Sequence, residues 1–371
     1  MAKSMSLHIL LVLIFLILFV SSSSAIPMVT YSVISLGTKS DGQTDTTKAF
    51  LAAWAKACGS TADSTIYVPP GRYLLHNVAK AGTMTLPYVL MGLLAPSDYR
   101  IIGDAGNWVL FEHVNGVYID GGILDGQGAG LWACKRLGNN NCPSGATIKI
   151  INNVPSCVNE QILGFSNSNN ILINGLTSQN SQMFHVVIDG SHNVKVQGMR
   201  VSASGNSPNT DGIHVQSSSD VTILNARIGT GDDCVSVGPG TTNLRIENVA
   251  CDPGHGISIG SLGKELHEAG VQNVTSVDNP IVIDQNYCRD NKNCPGKASG
   301  VKISDVTYQD IHGTSATKVV VKFDCSQKYP CSGIKFEDVK LIYKNQPAEA
   351  SCRNADVSAS GFVQPNSCLR L

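Results

Sequence analysis

The chain has 371 residues, of which 15% are charged and 36 are glycine, and its 27 Lys plus Arg nearly balance its 28 Asp plus Glu. So balanced a chain offers no basic excess for nucleic acid and no basic amphipathic stretch for a membrane surface. Abundant glycine and asparagine suit many strands joined by tight turns and argue against a helical bundle.

The N-terminus reads as an export signal. Lys3 precedes an unbroken apolar run, Ile9–Val20, and Ser21–Ala25 supplies small residues for cleavage after Ala25. A membrane span needs about 20 apolar residues, so this shorter run fits a signal peptide better. Residues 1–25 are expected to be removed, leaving 26–371 as a single domain with a formal charge of 26 − 28 = −2 once Lys3 is gone. The expected product is a secreted monomer with neither nucleic acid nor membrane as partner. Its length suits a solenoid better than one globular core.

Thr46–Cys58 places Phe50, Leu51 and Trp54 on one face. This spacing predicts a helix capping the open end of a solenoid, whose bare strand edges would otherwise invite association. Twelve cysteines in an exported chain point to disulfides. Four pairs lie close together: Cys134/Cys142, Cys288/Cys294, Cys325/Cys331 and Cys352/Cys368. None has the spacing of a zinc site. Asn273-Val274-Thr275 is an N-glycosylation sequon.

A polar residue followed by alternating apolar positions recurs along the chain. Asn170-Ile171-Leu172-Ile173 is followed by Asn193-Val194-Lys195-Val196, Asp220-Val221-Thr222-Ile223 and Asn243-Leu244-Arg245-Ile246, and later by Gly300-Val301-Lys302-Ile303. The step from Asn170 to Asn193 equals the step from Asp220 to Asn243, and the one between them is only slightly longer. An antiparallel sandwich would not repeat one phrase at near-constant spacing. The predicted fold is all-β: a right-handed parallel β-helix, a single-stranded solenoid with a short N-terminal capping helix.

The same period brings acids together. The steps from Asp211 to Asp232 and from Asp232 to His255 are each close to one coil. Asp211, Asp232 and His255 are thus expected to form a ladder on one wall, with Asp233 beside Asp232. Crowded carboxylates cannot all ionise easily, so one pKa should rise. A protonated acid beside ionised bases is what glycosidic hydrolysis requires.

The blocks Asn209-Thr210-Asp211, Gly231-Asp232-Asp233-Cys234 and Gly254-His255-Gly256, in that order, resemble three of the four signature blocks of family 28 glycoside hydrolases. The similarity runs from Leu36-Gly37 and Asp41-Gly42 to the C-terminal cysteines. Asp125-Gly126-Gln127-Gly128, Gly260-Ser261-Leu262-Gly263-Lys264 and Gly313-Thr314-Ser315-Ala316 look like the plant branch, above all the pollen-type exopolygalacturonases, a group that includes allergens. The resemblance implies inverting hydrolysis of the α-1,4-galacturonosyl linkages of polygalacturonic acid (pectin) in the cell wall, from chain ends, without metal or organic cofactor. It implies that Asp232 protonates the leaving oxygen, that Asp211 and Asp233 activate water, and that His255 helps hold the proton of Asp232. Asn209, Tyr287 and Lys264 are expected to contact substrate.

The fourth family block, Arg-Ile-Lys, is missing. After Gly270-Val271-Gln272-Asn273-Val274-Thr275 the chain passes almost directly into Asn279-Pro280-Ile281-Val282-Ile283-Asp284. Val301-Lys302-Ile303 lacks the arginine, and Lys264 is the nearest substitute cation. Lys80–Leu94 and Ile148–Gln161, the latter with Cys157, also depart from the family pattern. A polyanion needs cationic partners, so the alternative expectation is a catalytically impaired homologue that binds galacturonan or persists as an allergen.

Overall fold

The computed structural model describes residues 28–89, 92–103, 108–138, 141–143, 165–260, 262, 268–277, 281–285, 301–315, 317–366 and 368. The expected signal peptide, the Ile148–Gln161 insertion with Cys157, the Cys288/Cys294 pair, Lys264 and Tyr287 lie outside these residues.

Short strands with buried and exposed residues in alternation follow one another along the chain. In His192–Gln197, Val194 and Val196 point inward and Lys195 outward. Such a strand cannot bury its apolar side alone, so each coil stacks on the next. Parallel pairing aligns Ile171, Val194, Val221, Leu244, Val274 and Val306 in one inward row. All six are buried, and each contributes about 1.5–3 kcal/mol by leaving water. Eight more short strands, from Asp41–Asp45 to Ala250–Cys251, close the coils as a separate parallel sheet. The result is a right-handed parallel β-helix whose apolar core runs from Val33 to Val357.

Among the described residues, the stretch of the acid face from Val186 to Arg353 consists of successive strands paired in parallel. They are β1 (Val186–Asp189), β2 (Ile213–Gln216), β3 (Val235–Val237), β4 (Ile257–Ile259), β5 (Ile281–Asp284), β6 (Val319–Asp324) and β7 (Glu349–Arg353). Each pairs with the next in chain order.

The recurring polar residue turns out to sit at a corner with left-handed backbone. Asn170, Asn193, Asp220, Asn243 and Asn273 have φ between 54° and 56°. Asparagine and aspartate tolerate this region better than other residues with a Cβ. Their side chains also bond along the stack. Asn193 Nδ2 donates to Asn170 Oδ1 (2.6 Å), and Asn273 Nδ2 donates to Asn243 Oδ1 (2.7 Å). The next member of this row is Asp305, because Val274 pairs with Val306. Gly300-Val301-Lys302-Ile303 is therefore out of register with the repeat: Ile303 pairs with Val271, whereas the corner residue of this coil is Asp305, five positions after Gly300.

The predicted cap forms as helix α1 (Thr47–Cys58), with Trp54 buried against Phe111 at a ring distance of 5.3 Å. Disulfides join Cys134–Cys142, Cys325–Cys331 and Cys352–Cys368 as expected from proximity, and also Cys234–Cys251. The unfamiliar stretch after Lys80 enters the strand Val78–Val89, parallel to Val109–Asp120 with two register shifts. Among the described residues, no helix is long and apolar enough to cross a membrane.

Candidate active site

Strand register fixes the acid ladder. Ile213 pairs with Val235, and Val235 with Ile257. Two residues before each of these positions stand Asp211, Asp233 and His255. Backbone bonds from Gly212 N–H to Asp233 O and from His255 N–H to Asp232 O, both 2.9 Å, keep this register through the turns. The stacked set is thus Asp211–Asp233–His255, with two equal steps along the chain. Asp232 sits one position earlier, in line with Thr210. The expected ladder of Asp211, Asp232 and His255 is corrected by one position, because the two coils here are of equal length and the step to Asp232 falls just short of a full coil.

Close backbone packing holds the turns. A Cβ at Gly212 would strike the Ile228 side chain and the carbonyl of Cys234, and one at Gly254 would strike both sulfurs of the Cys234–Cys251 disulfide. These glycines let successive turns approach at the site.

Asp232 is the centre of a hydrogen-bond cluster. Its Oδ2 accepts from the backbone N–H of Asn209 (2.8 Å) and lies 3.4 Å from that residue's side-chain amide. Its Oδ1 accepts from the backbone N–H of Asp233 (3.0 Å) and lies 3.1 Å from Nδ1 of the exposed His255. Asn209 has left-handed backbone, φ 59°. Through its backbone N–H, Asn209 positions Asp232, a role beyond the substrate contact expected of it. Asp232, Asp233 and His255 each bring one atom within 4.8 Å of the others. Such a set could accept a cation as well as handle protons.

The two flanking acids are more deeply set, and each lies against a serine of the following coil. Ser236 Oγ is 2.6 Å from Asp211 Oδ2, and Ser258 Oγ is 2.6 Å from Asp233 Oδ1. Burial pushes Asp211 up to about 8, opposed by the Ser236 hydroxyl and reinforced by the charges of Asp233 and Asp232. Burial also pushes Asp233 up to about 6, opposed by Ser258, raised further by Asp232 and lowered by His255. A rise from crowding was expected, and it falls on the flanking pair through desolvation first.

Three neighbours gave no signal at the sequence level. Ser236, Ser258 and His214 occupy one outward row, since His214 pairs with Ser236 and Ser236 with Ser258. The row continues through Val282 to Lys322. Lys322 Nζ reaches Asp284 Oδ2 at 2.8 Å, the ammonium half exposed and the carboxylate largely covered. Only the register shows that a lysine so far along the chain from Ser258 lies on the same face, two rungs away.

Residues 58–279 and 273–361 match the family described as glycosyl hydrolases family 28. The two matched pieces meet at 273–279, where the basic block is missing. A polygalacturonase of Prunus persica is 57% identical across 411 aligned positions, covering all of both chains. Since this chain has 371 residues, 411 − 371 = 40 of those positions are empty in it. An exopolygalacturonase of Zea mays is 35% identical over 91% of this chain and 90% of its own. The exopolygalacturonase structure from Thermotoga maritima superposes with a TM-score of 0.61 at 16% identity, covering 90% of this chain and 91% of that one, which supports the shared fold. With three signature blocks assembled on one face and matches spanning most of its length, the chain belongs to the glycosyl hydrolases family 28.

Proposed function

We propose that the chain hydrolyses polygalacturonic acid in the extracellular plant cell wall, as an inverting glycosidase acting from chain ends. The observation that carries this reading is the clustering of Asp211, Asp232 and Asp233 with His255 on one face of the helix. Exo action rests on the similarity to relatives such as the maize exopolygalacturonase. The export signal, the single domain and a monomeric state belong to the same reading, and the four disulfides among the described residues fit an oxidising compartment.

In this mechanism Asp232 gives its proton to the leaving glycosidic oxygen. Its outward neighbour His255 orients that proton through Nδ1. Asp211 and Asp233, stacked one above the other, hold the water that attacks from the opposite side, and one of them takes its proton. No step requires a metal or organic cofactor. The substrate carboxylates need a cation in place of the missing basic block, and Lys322 supplies it from the same outward row.

The second reading, an impaired galacturonan-binding or allergenic homologue, is favoured by the missing Arg-Ile-Lys block at 273–279, where the family match divides into two overlapping pieces. Reducing-sugar release from polygalacturonate, with Asp232→Asn as control, separates the two. Monomer release that disappears in the variant supports hydrolysis from chain ends, and the anomer first formed reports inversion. Binding without turnover by the unaltered protein would establish the second reading instead.

A further inference from the structure

Behind Asp211 runs a chain of polar side chains that reaches back to β1. Asp211 Oδ2 lies 2.6 Å from Ser236 Oγ, which lies 2.7 Å from His214 Nδ1. His214 Nε2 lies 3.1 Å from Gln216 Oε1, and Gln216 Nε2 donates to Asp189 Oδ2 at 2.8 Å. The Phe184 ring packs on the imidazole at 5.4 Å.

The donors and acceptors in this chain can be counted. A carboxylate only accepts, so Asp189 fixes the Gln216 amide with its nitrogen toward β1. Gln216 Oε1 then faces His214, and it too only accepts. His214 Nε2 must therefore carry a proton. The remaining contacts, Asp211 to Ser236 and Ser236 to His214, share one hydroxyl hydrogen. If that hydrogen points to His214 Nδ1, Ser236 Oγ can bond Asp211 only by accepting, and Asp211 is a carboxylic acid. If it points to Asp211, Ser236 can bond His214 only by accepting from Nδ1–H, and His214 is an imidazolium. Both contacts are satisfied only when the pair holds one extra proton.

We propose that Asp211 and His214 share a single proton through the Ser236 hydroxyl, making His214 a positioning residue that sets when Asp211 is a free carboxylate. In the transfer the Asp211 O–H bond breaks as Ser236 Oγ takes that proton, and the Ser236 O–H bond breaks as its own proton passes to His214 Nδ1. A neutral pair becomes a carboxylate and an imidazolium, with nothing oxidised or reduced. The raised pKa of Asp211 fits the first arrangement as the resting one. Among the described residues, the charged groups acting on Asp211 are Asp232 and Asp233 beside it, and Asp189 faces the far side of His214 through Gln216. The negative charge of Asp189 favours the imidazolium arrangement. The catalytic use of the relay rests on the proposed hydrolysis: Asp211, emptied toward His214, becomes able to take the proton of the attacking water.

Nitrogen-15 NMR of histidine-labelled protein tests the relay without any substrate. Nε2 is expected to stay protonated from pH 4 to 9, a range spanning the usual carboxylate and imidazole values of about 4 and 6.5. Nδ1 is expected to titrate with a midpoint that moves by about one pH unit in Asp211→Asn and in Ser236→Ala. A bare Nε2 in the unaltered protein, or the same midpoint in all three proteins, would overturn the proposal. The first of these needs no variant to fold. For turnover, His214→Asn is expected to lower kcat about tenfold with little change in KM, and adding Ser236→Ala should lower it no further. Additive losses would mark separate structural roles and sink the relay. Absence of any hydrolysis by the unaltered protein would remove its catalytic use while leaving the NMR result to decide the shared proton.

Discussion

The Asp233 carboxyl and the Ser258 hydroxyl, contributed by successive coils, meet at 2.6 Å, and this contact opposes the upward push of burial on a carboxyl that settles at about 6. The hydroxyl stabilises the charged form against desolvation. As the water-activating base, Asp233 must be ionised, so the acid limb of the kcat/KM profile is expected near pH 6 rather than near 4. Ser258→Ala removes the donor and should move that limb up by about one pH unit. A pH profile of each protein on polygalacturonate checks this, and an unshifted limb would detach Asp233 from the base role.

Asp211 gives a stability prediction of definite sign. Its pKa is raised to about 8 in the folded chain from an ordinary 3.8. Between those values the folded state binds more protons than the unfolded state, so stability falls as pH rises. The contribution is fully present below about 4 and is lost as pH passes through about 8. Asp211→Asn cannot ionise and escapes this loss. The variant is expected to be more stable than the unaltered chain by about 2–4 kcal/mol at pH 8, and close to it at pH 4. Urea unfolding at the two pH values measures the difference. Equal stabilities at pH 8 would show that burial of this carboxyl is relieved in solution.

Much of this architecture was legible because the forces that build it are periodic. Asn193-Val194-Lys195-Val196 announces both a corner and an inward pair, and the corner row and core row follow from it directly. The acids were legible for the same reason, since each marks one coil. What escaped was whatever depends on exact coil length and on faces joined across long insertions. A difference of a single position in coil length moved the ladder from Asp232 to Asp233. Ser236, His214 and Lys322 are ordinary surface residues until strand pairing sets them in one outward row. Gly300-Val301-Lys302-Ile303 misled because an apolar alternation without its left-handed corner residue carries no register.

The corner row makes a prediction about backbone rather than side chain. Asn193 has φ 54° and donates to Asn170 at 2.6 Å. Asn193→Ala loses the hydrogen bond and forces a Cβ residue into the left-handed region, a combined cost of about 2–3 kcal/mol. Asn193→Gly loses only the bond and should cost about 1 kcal/mol. Denaturant midpoints in that order support a conformational role for the repeat asparagines. The reverse order would place their value in the side-chain ladder alone.

Lys322 tests whether the face can still hold a polyanion. Its ammonium touches Asp284 with one of three donors, and half of its side chain remains open to solvent. Two rungs separate it from Ser258, about 9.6 Å along the axis at the spacing of stacked strands. A galacturonan chain lying along the acid face would bring a carboxylate to it beyond the bond being cut. Lys322→Gln is therefore expected to raise KM for polygalacturonate about fivefold, the upper end for an exposed ion pair, with little change in kcat. Lys322→Arg should restore most of the loss. The effect should shrink on methyl-esterified oligomers, whose carboxyl groups carry no charge, and in high salt, which screens exposed charges. A KM for polygalacturonate that is unchanged in Lys322→Gln would leave the lost basic block without a replacement on this face.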